Sequence, residues 1–150
     1  MKGPVICGVD GSSVAVGAVQ VARELAHRYE LPLVYAHVLD GEVGSCEAEQ
    51  LLRDAIAPDV EVAIESGHPA DRLVSLAQER QASFLVVGNR GPHSSLLGSI
   101  SAEVSRRASC PVVVVPPGTE RVGSQAAASD PEVEGGIVRF SLGHAVRRVA

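Results

Sequence analysis

The sequence has almost no lysine: Lys2 is the sole example among 150 residues. A phosphate site in this chain therefore has to be built from backbone N–H groups, helix ends and arginine, because the lysine of a P-loop is missing. That removes one large class of nucleotide enzymes. An excess of positive charge is missing too. A formal net charge of −5 and a pI near 5.5 supply no broad basic field for a phosphate backbone, so no nucleic acid is expected as a partner. Three cysteines, Cys7, Cys46 and Cys110, form neither a zinc spacing nor a paired disulfide framework, which fits a reducing, cytoplasmic setting. Apolar runs are short and broken by glycine, proline or charge, well under the roughly 20 residues of a membrane span. Met1-Lys2-Gly3-Pro4 leads straight into a strand-like segment with no export signal, and no membrane partner is expected. The Gly-x-Ser-x-Gly elbow of many hydrolases and the Gly-x-Gly-x-x-Gly fingerprint of dinucleotide enzymes are both absent.

What is present is a regular alternation. Val5-Ile6-Cys7-Gly8-Val9 is a continuous β-branched run, the pattern of a strand buried on both faces of a parallel sheet. It stops at Asp10-Gly11-Ser12-Ser13, after which Val14, Ala18, Val21, Ala22, Leu25, Ala26 and Tyr29 recur at helical spacing, with Ser12 or Ser13 as N-cap. Pro32 to Val38 reads as a second strand and Cys46 to Ala57 as a second helix. Val60 to Glu65 alternates apolar with mostly polar residues, as a strand at a sheet edge does. Gly67-His68-Pro69 opens a helix with proline at its first position. Phe84 to Val87, Ser99 to Ala108 and Pro111 to Val115 supply strand, helix and strand.

Strict alternation of this kind predicts an α/β fold, a doubly wound (Rossmann-like) five-stranded parallel sheet with helices on both faces. With strand order 3-2-1-4-5 the order reverses between the first and fourth strands. Their carboxyl ends carry Asp10-Gly11-Ser12 and Gly88-Asn89-Arg90-Gly91, so the crevice expected at such a switch point lies between those two loops. Residues 1–117 make the domain. From 118 to 150 the composition shifts to Gly, Ala, Ser and Glu, which reads as a flexible tail with a short strand over 137–142.

The richest constellation is Gly88-Asn89-Arg90-Gly91 followed by Gly98-Ser99-Ile100-Ser101 at a helix start. Glycine lets backbone approach phosphate oxygens, and a helix N-terminus offers unpaired N–H groups with about half a positive charge. Glycines of this kind also simply make turns, and Asp10 with Gly-Ser-Ser also forms turns and caps without any ligand. His37, inside an apolar strand, is expected to be a hydrogen-bonded structural histidine. His93 sits in a loop, and His27, His68 and His144 share no ligand spacing. Arg106 and Arg107 suit the negative end of their helix.

Five segments in order resemble the universal stress protein family: Val9-Asp10-Gly11-Ser12, Gly67-His68-Pro69-Ala70, Val86-Val87-Gly88-Asn89-Arg90-Gly91, Leu96-Leu97-Gly98-Ser99-Ile100-Ser101 and Ser109-Cys110-Pro111-Val112-Val113-Val114-Val115. The resemblance covers residues 3 to 116. It implies a stress-response protein, commonly a homodimer through the last strand, that binds an adenine nucleotide, ATP with magnesium. Carried over by position, Asp10 lies near the ribose and the phosphate-bound metal, the backbone around Val38 meets the adenine, and Gly88, Arg90, Gly91, Gly98, Ser99 and Ile100 line the phosphates. The family's pattern is Gly-x-x-Gly, nine residues, then Gly-Ser or Gly-Thr. Here only Pro92 to Leu97, six residues, separate Gly91 from Gly98-Ser99. With no P-loop lysine and no base placed for water, hydrolysis is expected to be slow or absent. The rival reading is a nucleotide-independent dimeric interaction protein of the same fold. An adenylating enzyme would call for Ser-Gly-Gly-x-Asp-Ser after the first strand, where this chain has Asp10-Gly11-Ser12-Ser13.

Overall fold

The structure, a computed structural model, describes residues 3–9, 13–39, 60–89, 98–116, 132–134 and 137–139. In chain order these form β1 (Val5–Val9), α1 (Ser13–Tyr29), β2 (Leu33–Leu39), β3 (Glu61–Ser66), α2 (Pro69–Glu79), β4 (Phe84–Gly88), α3 (Ser99–Arg107), β5 (Val112–Val115), β6 (Glu132–Glu134) and β7 (Ile137–Arg139). The helix expected over Cys46 to Ala57 lies outside the described residues.

Five strands pair in parallel in the order β3-β2-β1-β4-β5, as the alternation predicts, and β3 sits at the edge. Beyond β5 the sheet continues into β7, parallel to β5, and β6, antiparallel to β7. β7 falls within the interval 137–142; β6 has no counterpart in the sequence reading.

Alternate side chains of the buried strands feed two separate cores. On one face Val5, Cys7, Val9, Tyr35, Val86, Val113 and Val115 meet Ala18, Val21, Ala22, Leu25 and Ala26 of α1. On the other, Ile6, Val34, Ala36, Leu85, Val87, Val112 and Val114 meet Ala70, Leu73, Leu76 and Ala77 of α2 and Val104 of α3. Helices thus cover both faces. They change sides between α1 and α2, where the strand order reverses between β1 and β4, as right-handed crossovers require.

Gly8 in β1 is what lets α2 come close. A Cβ there would lie 3.2 Å from Leu73 Cδ1 and 3.5 Å from Val87 Cγ1. α1 and α2 end alike. Leu31 N–H donates to Ala26 O and Glu30 N–H to His27 O; Ala82 N–H donates to Ala77 O and Gln81 N–H to Gln78 O. This is the Schellman pattern, and Glu30 (φ 53) and Gln81 (φ 50) occupy the left-handed position that glycine usually takes.

Candidate functional site

Because β1 to β5 are parallel, α1, α2 and α3 all begin at the carboxyl end of the sheet, the end at which the switch-point crevice opens. The start of α3 is set by one side chain. Asn89 follows the last residue of β4 and is fully buried. Its backbone N–H donates to Val115 O at 2.8 Å, and its Oδ1 accepts the Gly98 N–H at 2.8 Å. The carboxamide thereby ties the end of β4 to the residue that caps α3, across the whole intervening loop. A buried acceptor in a neutral amide does this without adding charge beside the helix.

Gly98 is the N-cap of α3, with extended backbone at φ −65° and ψ 163°. Its carbonyl accepts the Ala102 N–H at 2.9 Å and the Ser101 hydroxyl at 3.0 Å. Ser101 is buried, so its hydroxyl serves the helix rather than a ligand. Ser99 is exposed and Ile100 lies partly buried against the α2 and α3 core. The N–H groups of Ser99, Ile100 and Ser101 have no acceptor within the helix, as at any helix start. No acidic residue lies in the first turn of α3, while Arg106 and Arg107 lie in its last. The positive end of the helix dipole is left uncompensated by acidic residues of the helix itself.

The remaining expected residues divide between described and undescribed. Gly88 ends β4, in register with Val115. Val38 is the penultimate residue of β2, opposite Glu65 of β3, with its side chain against the α2 and α3 core. Asp10, Arg90 and Gly91 lie outside the described residues, as do His93 and His144. His37 behaves as its strand setting predicts: its Nδ1 donates to Val9 O at 2.8 Å, joining the ends of β2 and β1. That bond holds the proton on Nδ1 in the neutral ring.

Two features were hidden by sequence distance. His68, Asp71 and Glu103 come together at the start of α2, with ligand atoms within 4.8 Å of one another, although Glu103 lies more than thirty residues beyond the other two. Arg107 already engages both carboxylates, donating to Asp71 and, at 2.7 Å, to Glu103. Its role is therefore an ion pair between helices as well as a charge at a helix end. That guanidinium holds the Asp71 carboxyl below its ordinary value. Arg72 donates to Glu65 at 2.5 Å, closing α2 onto β3. Burial pushes the Cys7 and Cys110 thiols up, which favours their protonated form.

Comparison with known proteins gives a consistent result. A family model described as the universal stress protein family matches residues 42–116. A universal stress protein of Mycobacterium tuberculosis is 32% identical over 138 residues, covering 74% of this chain and 94% of that protein. Another, from Mycolicibacterium smegmatis, is 36% identical over 136 residues, but the chain spans only 46% of its length. Among solved structures, a universal stress protein in complex with cAMP has a TM-score of 0.63 and 32% identity, covering 77% of this chain and 98% of that one. A universal stress protein from Archaeoglobus fulgidus in complex with dAMP has a TM-score of 0.61 and 25% identity, covering 75% and 96%.

Proposed function

The chain belongs to the universal stress protein family, and on that premise we propose that it binds an adenine nucleotide, ATP with magnesium, across the carboxyl ends of β1 and β4. The observation that carries this reading is the bond from Gly98 N–H to Asn89 Oδ1, which fixes an acid-free helix start beside the end of β4. A preorganised set of N–H donors on a positive helix end suits phosphate oxygens. Two solved relatives are in complex with adenine mononucleotides, cAMP in one and dAMP in the other. Ser99, Ile100 and Arg90 would contact the phosphates, with Gly88, Gly91 and Gly98 leaving backbone room around them. The Val38 backbone would meet the adenine and Asp10 the ribose and the magnesium. Magnesium supplies charge neutralisation between phosphate oxygens.

The protein acts as a regulatory module in a cytoplasmic stress response, a homodimer through β5, with hydrolysis absent or very slow. The donors expected around the phosphates are backbone amides, a hydroxyl and the Arg90 guanidinium, which bind but do not abstract a proton from water. One observation favours nucleotide independence instead: the loop from Gly91 to Gly98 is six residues rather than nine. Mass spectrometry of small molecules released from the purified, denatured protein, then isothermal titration with ATP and magnesium, decides between them. Recovered or bound adenine nucleotide, lost in Gly98→Val, supports the switch reading. A folded protein with no ligand in either experiment supports the interaction reading.

A further inference from the structure

The outer edge of β5 is occupied by the chain itself. β5 is four consecutive valines, all buried, and on the side away from β4 it pairs in parallel with β7, Val112 opposite Ile137 and Val113 opposite Val138. β7 is in turn backed by β6 with Glu134 opposite Ile137, Val133 opposite Val138 and Glu132 opposite Arg139. Only Gly135 and Gly136 stand between the two strands in sequence, the kind of dipeptide that two-residue hairpins favour. Without β7, an all-valine strand would present a bare row of N–H and C=O groups, which is a template for another strand. With it, the terminal strand of the described sheet is Glu132-Val133-Glu134.

We propose that the β6–β7 hairpin is an intramolecular cap on the β5 edge, and that what it excludes is a second copy of this chain. This rests on the dimer reading given above and adds its control. An uncapped edge strand is its own partner under a two-fold axis, since antiparallel pairing sets residue i against j and j against i. Two such strands bring eight β-branched residues together with no register conflict. Among the described residues β7 pairs with Val112 and Val113 and not with Val114 or Val115, the carboxyl half of β5. Sixteen residues, 116 to 131, separate β5 from β6 in sequence, enough to span up to about 55 Å when extended.

The apparent affinity of a capped edge is its intrinsic affinity reduced by the uncapped fraction, so weakening the cap must strengthen self-association. Val138→Pro in the full chain removes a β7 amide and should lower the dimer dissociation constant about tenfold or more in analytical ultracentrifugation. Hydrogen exchange of the β5 amides on the β7 side should rise in the monomer. Val133→Pro, which touches only β6, should act in the same direction and more weakly. Unchanged β5 exchange in both variants would show that the hairpin does not hold this edge and would overturn the cap while leaving the dimer reading intact. Faster β5 exchange without any gain in dimer would overturn the second copy as the excluded partner, and with it the dimer reading.

Discussion

Two helices begin side by side at the carboxyl end of this sheet, and they are built for opposite purposes. α2 starts at His68 with no side-chain cap, Pro69 at its first position and Asp71 in its first turn, and Glu103 comes from the neighbouring helix. Its positive end is already met by two carboxylates, which share the single guanidinium of Arg107. α3 starts at Gly98, has no acid in its first turn, and is anchored by an uncharged amide from Asn89. The helix dipole meets carboxylates at the first turn of α2, whereas the first turn of α3 carries none. Phosphate oxygens would be repelled at α2 and attracted at α3.

The largest effect should come from making α3 resemble α2. Ser99→Glu places a carboxylate in the open first turn, where it repels phosphate yet favours the helix by about 0.3–1 kcal/mol. Nucleotide affinity measured by titration calorimetry should fall about a hundredfold, with no loss of melting temperature. Unchanged affinity would break the comparison outright. Next, Asn89→Ala removes the acceptor for Gly98 N–H and should cost about 1–3 kcal/mol in chemical denaturation, with roughly tenfold weaker nucleotide binding. Asn89→Asp keeps an acceptor and should recover part of the stability but none of the affinity, since its charge lies near the phosphates. That split separates positioning from mere folding.

Where α3 is placed by a hydrogen bond, α2 is placed by packing. Gly8→Ala sets a methyl 3.2 Å from Leu73 Cδ1 and should cost about 1 kcal/mol, read in urea titration, with affinity at α3 little changed. The smallest effect belongs to Asp71→Asn. The pair it forms with Arg107 is exposed, so the melting temperature should move by no more than about 2 °C. Because folding depresses the Asp71 carboxyl, its contribution is present above the unfolded aspartate value and disappears as pH falls through the folded one. The wild-type and Asp71→Asn melting temperatures should therefore converge at low pH, not at high pH.

Most of the sheet was legible in the sequence because parallel strands buried on both faces announce themselves as unbroken apolar runs. Val5 to Val9 and Phe84 to Val87 match their strands to within a residue. Pro69 at N1 marked α2 for the same local reason. The interactions that define the site were not legible. Asn89 stood in plain view inside Gly88-Asn89-Arg90-Gly91, but its partner is nine residues on, and nothing in a loop sequence says which way a carboxamide turns. Glu103 and Arg107 reach Asp71 across more than thirty residues, a tertiary meeting of two helices that periodicity cannot encode. The hairpin was a missed local signal, since Gly135-Gly136 between Glu132-Val133-Glu134 and Ile137-Val138-Arg139 carries a hairpin pattern within what reads as tail.

The most direct measurement is a backbone amide titration by two-dimensional NMR, adding ATP and magnesium to the labelled full chain. Saturable shifts are expected at Ser99, Ile100 and Ser101, with Ala70 and Asp71 at the start of α2 unmoved. Shifts at α2 with none at α3, or no saturable shift anywhere, would contradict phosphate binding at α3.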